Sequence, residues 1–401
     1  MIITDFLWIL VWGGMFSGIY NILSPAFLSS PLSFIQGARA LLPLLAAYLC
    51  LMWVFATKSG FPFFGMPLAY MSSYLMIGIV SSIFLSTNKI TALYWACVYG
   101  SPILVAWVAI ERDQSLRVLR RLIYINNGMV VLVMVMLLPE VFRVGGADER
   151  FSQFYMLPLG LGEMRANGVG RFALVSLIIA FTYAISQSGK RKIFWLALLF
   201  PSLFMLAQTR SRTSLLGLAV SAILLVLILG LDRRFLIIGP LATYVVYLSG
   251  IQWRLHGHVE RIMFLTGREY TWRRGLAQIK QSPFLGWGFH ADRLLLNSEH
   301  MHNSYLHAAI HSGVIGALFF LAAIISIWIL ISKANLLKRI RFVQGPDLPL
   351  LMQSVMVIGF LTTRSLFEST AAFYGVDLLL LVPAMTYIYV WVHESPAAEM
   401  T

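Results

Sequence analysis

Twelve stretches of this chain are each long and apolar enough to cross a bilayer, and nothing else limits its fold as severely. In hydrocarbon every backbone N–H and C=O must be bonded within the protein, so only helices and closed barrels span. A spanning helix needs about 20 mostly apolar residues. Such runs lie near 6–23, 38–56, 68–85, 92–110, 122–139, 168–186, 193–208, 213–231, 235–250, 304–331, 349–367 and 372–392. They do not alternate apolar and polar residues as barrel strands do, which predicts an all-α polytopic membrane protein. Composition agrees: 59% of the 401 residues are hydrophobic and 12% are charged, against roughly 45–50% and 25% in a soluble domain. That balance excludes a water-soluble globule, and it excludes disorder, which needs low hydrophobicity and high charge.

Twelve spans place both termini on one side. The loops of that side are short and carry Lys58, Arg112, Arg117, Arg120, Arg121, Lys190, Arg191, Lys192, Arg233, Arg234, Lys333, Lys338, Arg339 and Arg341. The positive-inside rule makes this the cytoplasmic side. The first residues, MIITDFLWILVWGGMFSGIY, lack a basic region and a small-residue cleavage site and read as a retained first span. The opposite, trans side is also basic, but there nearly every base is arginine, with Lys89 and Lys280 the exceptions. Orientation signals do not distinguish the two bases, whereas phosphate recognition does. An anion-binding face on the trans side follows. The basic residues are scattered between apolar runs and form no nucleic-acid-binding module, so nucleic acid is not an expected partner. Cys50 and Cys97 sit in apolar runs and read as packing residues.

Two trans-side connections are long, 140–167 and 251–303, and long loops in a compact fold are usually functional. The chain therefore divides into 1–250, with the first nine spans; 251–303, a large trans-side loop; and 304–401, with the last three spans. Within the large loop, Thr266 and Glu269 are spaced as a capping box. Trp272, Leu276 and Ile279 fall on one helical face, and Ser282-Pro283 ends the run. This predicts an amphipathic helix at the membrane surface. Arg268 lies in its first turn, where free N–H groups already favour anions; local pairing with Glu260 or Glu269 is an equal reading. Gly286 and Gly288 flank Trp287 in a stretch suited to a sharp turn or a close backbone approach.

Other polar residues stand out against the apolar background. Arg210 and Arg212 lie at the trans-side junction of the seventh and eighth spans; they either bind an anion or snorkel to the interface. His302 enters the tenth span, and Asn303 could orient its ring or cap the helix. His307 and His311 are spaced i,i+4 as a zinc pair would be, but no HExxH or nearby carboxylate accompanies them, so no metal is expected. Arg143, Arg150 and Arg165 stand beside Asp148, Glu149 and Glu163 as local pairs. Arg364 and Glu368 are spaced as a simple i,i+4 pair, and Asp377 in the last span has no evident partner. Gly313 and Gly316 would let the tenth helix pack closely on a neighbour.

His302-Asn303, then nine residues, Gly313, two residues and Gly316 make the pattern H-[NSQ]-x9-G-x-x-[GTY], complete at every fixed position. TRSRTSLLGL at 209–218 and GREYTW…SPFLGWGF at 267–289 precede it in order. In these elements the chain resembles the O-antigen ligase family, within the wider O-antigen ligase/polymerase superfamily. The resemblance implies a glycosyltransferase of lipopolysaccharide biosynthesis in the Gram-negative inner membrane. Its donor would be O-antigen on undecaprenyl diphosphate, its acceptor lipid A–core, and its surroundings membrane lipids, with the active site facing the periplasm. Carried onto this sequence, His302 would be the general base, Arg212 and Arg268 would hold the diphosphate, and Arg210, Asn303, His307 and His311 would bind substrate. The expected reaction is an inverting single displacement with no metal and no cofactor. An O-antigen polymerase would use the same donor; the R-x10-G elements of polymerases are absent from 140–167 and 251–303. A protein O-oligosaccharyltransferase and, more distantly, a lipid-linked glycan transporter are the other readings.

Overall fold

The computed structural model describes residues 2–16, 31–57, 67–111, 115–144, 154–158, 161, 163–209, 211–232, 234, 237, 241 and 268–394. Helices dominate: α1 (Ile2–Met15), α2 (Pro31–Thr57), α3 (Pro67–Phe84), α4 (Lys89–Ile110), α5 (Ser115–Val144), α6 (Ala166–Ser186), α7 (Gly189–Thr209) and α8 (Arg212–Leu229). After them come α9 (Arg268–Gln281), α10 (Ala291–Leu295), α11 (Ser304–Lys333), α12 (Leu336–Arg339), α13 (Asp347–Arg364) and α14 (Val376–Glu394). The sole sheet among the described residues is a hairpin of β1 (Phe154–Met156) and β2 (Glu163–Arg165), antiparallel with Phe154 opposite Arg165. The architecture is that of an all-α polytopic membrane protein.

Nine of the described helices are long and apolar enough to span a bilayer: α2 to α8, α11 and α14. The expected ninth span, 235–250, lies outside the described residues except at 237 and 241. The expected first span is a helix of 14 residues as far as it is described. The eleventh, expected over 349–367, is α13, whose 18 residues include Gln353, Ser354, Thr362 and Thr363. It is buried on nearly its whole circumference, so its polar groups bond to neighbouring helices and it needs no lipid-facing apolar stripe. Gln353 and Asn127 of α5 exchange side-chain hydrogen bonds at 3.0 and 2.5 Å. Small residues bring helices together, as at Gly217 of α8 beneath Phe360 of α13 and Gly359 of α13 beneath Leu224 of α8.

The two ends of the bundle differ. At one, Arg120 meets Asp347 at 2.6 Å, Arg121 meets Asp5 at 3.4 Å, and Arg341 donates to the Ile228 carbonyl at 2.8 Å. At the other, the C-terminal ends of α7 and α13 meet the N-terminal ends of α6, α8, α11 and α14. The first long loop joins this end. It begins as a continuation of α5, where Arg143 pairs with Glu140 at 2.6 Å; Asp148, Glu149 and Arg150 lie outside the described residues.

The second long loop folds back onto α11. Helix α9 buries Thr271, Gly275 and Ile279, while Leu276, expected on that face, is 44% exposed. The face packs on a small core with Ala291, Leu296, Met301 and Ile310. The expected cap, Thr266, lies outside the described residues. The GWG stretch docks into a break in α11. Ser312 and Gly313 leave helical geometry, and Gly313 has φ 64° and ψ −171°. Their displaced backbone bonds the loop: Trp287 donates to the Ile310 carbonyl at 2.9 Å, Gly288 to His311 at 2.8 Å, and Val314 to Pro283 at 2.7 Å. A Cβ on Gly313 would overlap the Phe284 carbonyl, and one on Gly286 would overlap the Gly313 amide. The motif glycine therefore shapes the seat of the loop. Gly313→Ala combines positive-φ strain with a backbone clash and should cost at least about 2 kcal/mol. Gly345→Ala, at φ 71° in open space, should cost only about 1 kcal/mol. Thermal unfolding of the two variants in detergent checks the difference.

Candidate active site

The turn that leads into α11 puts His302 at φ 48°, just ahead of the Asn303 cap. Asn303 Oδ1 accepts from the Tyr305 and Leu306 amides, both at 3.0 Å, and its Nδ2 donates to the Leu366 carbonyl at 3.0 Å. Asn303 thus caps α11 and ties it to the end of α13. The His302 ring is 30% exposed, and its Nδ1 lies 3.1 Å from Glu368 Oε2. An ionised carboxylate only accepts, so the imidazole carries its proton on Nδ1 and presents the Nε2 lone pair outward.

Glu368 is the hub. Its Oε1 accepts from Arg268 at 3.0 Å and from Asn167 at 2.6 Å. Arg268 also donates to the Phe367 carbonyl at 2.5 Å. Burial pushes the Glu368 pKa up, but the His302 hydrogen bond and the Arg364, His302 and Arg268 charges outweigh it and hold the value at about 2. Asn167 extends the network to Ser211, whose hydroxyl donates to its Oδ1 at 2.9 Å and accepts from the Ser214 amide as the cap of α8. Beside this lies a second shared carboxylate. Asp377 meets Arg171 at 3.2 Å and Arg364 at 3.1 Å. The i,i+4 pair expected of Arg364 and Glu368 is thus replaced by longer-range partners. Three guanidiniums face two carboxylates, which leaves a positive excess. Arg171, Arg364, His302, Glu368 and Asp377 line a cavity of about 200 Å³ together with His300, Phe373 and Tyr374.

The structure brings His302 and Arg268 together through one carboxylate. Arg212 is the first residue of α8 and is exposed. Its neighbours reach the network: Ser211 through Asn167, and Thr213 by accepting from Arg364 at 3.4 Å. Arg210 lies outside the described residues. His307 and His311, expected to line the substrate cleft, are fully buried and face Asp292 at 3.6 and 3.7 Å. Of the local partners considered for Arg268, Glu269 instead meets Arg273, and Glu260 lies outside the described residues. Sequence reading passed over Asn167, Arg171, Asp292 and His300 and left Asp377 without a role. His300 Nδ1 is 3.1 Å from Asp292 Oδ2, and burial lowers the His300 pKa, so the ring is a neutral donor. Asp292, His300 and His307 place one possible ligand atom each within 4.8 Å of one another.

Comparison with known families finds a similarity over one part of the chain. Residues 196–321 match the family described as O-Antigen ligase. That segment is similar to the O-antigen ligase domain, and the similarity points to the O-antigen ligase superfamily. It covers most of α7, then α8, α9, α10 and the first part of α11, and so includes Arg212, Arg268 and His302. Glu368, Asp377, Arg364, Asn167 and Arg171 come from outside it. No curated protein matches the chain. The family is one of glycosyltransferase-type enzymes whose substrates are, in general, lipid-linked glycans and lipid acceptors.

Because the folded Glu368 pKa is depressed from 4.5 to about 2, its contribution to stability is present above the ordinary value and lost as pH falls between them. The thermal midpoint of the purified protein should drop across this interval. Glu368→Gln should lower the midpoint at neutral pH and flatten the acid limb, which a thermal-shift series from pH 7 to pH 2 tests.

Proposed function

We propose that the protein is an O-antigen ligase that transfers glycan from undecaprenyl diphosphate to a sugar hydroxyl of lipid A–core. The observation that carries this reading is the convergence of His302, Arg171 and Arg364 on one small cavity at the head of α11, with Arg268 tied to His302 through Glu368. His302 Nε2 takes the proton of the acceptor hydroxyl, and Glu368 on Nδ1 stabilises the imidazolium that forms. The hydroxyl oxygen attacks the anomeric carbon while the bond to the diphosphate oxygen breaks, and the electron pair leaves with the diphosphate. One displacement inverts the anomeric centre. The developing negative charge falls among guanidiniums already fixed in a site shielded from water, where they act more strongly than in bulk solvent. Arg268 and Arg364 each use only part of their five donors on protein acceptors, and exposed Arg212 at the rim adds a further fork. Arg210, Asn303, His307 and His311 remain on the substrate side of the proposal only as supports: Asn303 by capping, the two histidines from beneath the cavity, and Arg210 by its place next to Ser211. Phe373 and Tyr374 give the cavity wall an aromatic surface for a sugar ring.

The charges at the diphosphate come from arginine, so the chemical step needs no divalent cation. The site faces the periplasm of a Gram-negative inner membrane, and both termini are cytoplasmic. The basic opposite end of the bundle, with Arg120, Arg121, Arg339 and Arg341, supports that orientation. The absence of R-x10-G elements from both long loops favours ligase over polymerase.

With purified lipid-linked donor and lipid A–core in liposomes, His302→Ala should lower ligation by about 10²- to 10⁴-fold while the variant still folds. Normal ligation by that variant would remove His302 as the base. A gene-deletion strain should lack long glycan on lipid A–core yet retain long polymer on the carrier; accumulation of single-repeat glycan instead would assign the protein to the polymerases. Cysteine introduced at 212 should react with an impermeant reagent from the periplasmic side, and reaction only from the cytoplasm would overturn the orientation.

A further inference from the structure

His300 lines the cavity beside His302, with ring centroids 6.0 Å apart, yet the reaction above gives it no task. Its Nδ1 donates to Asp292 Oδ2 at 3.1 Å, and an ionised carboxylate only accepts, so His300 Nε2 carries the lone pair. Arg293 donates to that lone pair and to the Ser298 carbonyl. A buried acid thus fixes an imidazole, and the imidazole fixes a guanidinium. We propose that Arg293, oriented by His300 and Asp292, is a further binding residue for a phosphoryl group of the substrates. The identity of those substrates rests on the ligase reading.

Charge balance sets Arg293 apart from the other arginines around the cavity. Arg268 pairs with Glu368, and Arg171 and Arg364 share Asp377. Arg293 makes no salt bridge among the described residues. Both of its partners are neutral: a carbonyl, and an imidazole whose pKa burial lowers. Asp292 does not neutralise it by contact, because that carboxylate is fully buried and is faced by His300, His307 and His311 at 3.1, 3.6 and 3.7 Å. Burial lowers the Arg293 pKa; Asp292 and Tyr374 act against burial, and the charge of Arg165 adds to it. A second guanidinium, at the start of α6, therefore stands near enough to be felt. Positive groups gathered at the edge of a cleft raise the local concentration of anions.

The remaining chemistry suits a phosphoryl group. A guanidinium presents five N–H donors in a fixed fork that matches phosphate oxygens. Arg293 spends two contacts on the protein and is part exposed, so donors remain for a ligand. His300 and Tyr374 both line the cavity, so a group bound there lies next to the wall against which Arg293 is held. The His300 tautomer decides whether the arrangement works. With its proton on Nδ1, Arg293 meets a lone pair; with the proton on Nε2, two donors would face each other. The same tautomer commits Nδ1 to Asp292, so His300 acts here by orienting Arg293. The bound group is the diphosphate of the donor or a phosphate on the acceptor, and these share one recognition chemistry.

The test titrates inorganic pyrophosphate into the full-length protein in detergent and records the heat of binding. Arg293→Gln should bind at least about tenfold more weakly than wild type. Arg273→Gln, which removes the same charge from the exposed side of α9, should bind as wild type does. His300→Leu removes the acceptor without changing charge and should weaken binding several-fold, whereas His300→Gln restores an acceptor near the Nε2 position and should recover most of it. No binding by wild type, equal affinity in Arg293→Gln, or equal losses in Arg273→Gln and Arg293→Gln would overturn the site. Unweakened binding by His300→Leu would overturn the positioning role. Ligation kinetics then name the source. Arg293→Gln should raise KM for the lipid-linked donor if its diphosphate is held, or for lipid A–core if an acceptor phosphate is held, with a smaller change in kcat. Unchanged KM for both would overturn the assignment to a substrate. Pyrophosphate binding needs no turnover, so a wild-type protein that binds it but fails to ligate sinks the ligase reading and leaves the anion site standing.

Discussion

A guanidinium cannot be left unpaired where helices close over it, and this constraint organises the functional end of the molecule. Glu368 answers it for Arg268 and Asp377 answers it for Arg171 and Arg364. Breaking a buried pair on one side strands the other charge, at a cost of about 3–5 kcal/mol. Each carboxylate therefore fixes several elements at once. Glu368 joins α9, Asn167 in the first turn of α6, and the turn before α11. Asp377 joins α6, α13 and α14. The geometry around His302 follows from these obligations, so its ring orientation is set by charge balance more than by apolar packing.

The loop that delivers His302 is held by a different means. Its backbone takes over carbonyls that α11 releases at the Gly313 break, and Ser81 donates to the Leu285 carbonyl from α3. Irregular backbone at the edge of a bilayer is tolerable only when such bonds are supplied. Charge pairing and backbone exchange thus act together at this end of the bundle.

Much of the architecture was legible because long apolar runs admit few solutions. The helical class, most spans and the association of Arg268 with His302 follow from hydropathy and from ordered motif elements. The carboxylates were harder to read. Glu368 is four residues from Arg364, which suggests a pair on one helical face, but α13 ends at Arg364, so the periodicity stops before it reaches Glu368. Asp292 and the histidines of α11 look unrelated in sequence because a tight turn with Asn297, Ser298 and His302 at positive φ separates them. Leu276 was assigned to a buried face by its apolar character, whereas small Gly275 takes that place so that α9 can approach Met301. In each case the missing information was a long-range contact, to which local spacing is blind.

The acids that set the charge of the reactive centre lie outside 196–321, the part of the chain that resembles other proteins. Recognition from that segment alone thus reads half of an electrical circuit. A chain could keep the histidine and both arginines yet carry neutral residues at positions 368 and 377; it would retain the motif while its imidazole lost the acceptor that fixes the tautomer. Such chains would share a pedigree without sharing a working proton acceptor, and the connection between α13 and α14 and the first turn of α14 are where that divergence would be written.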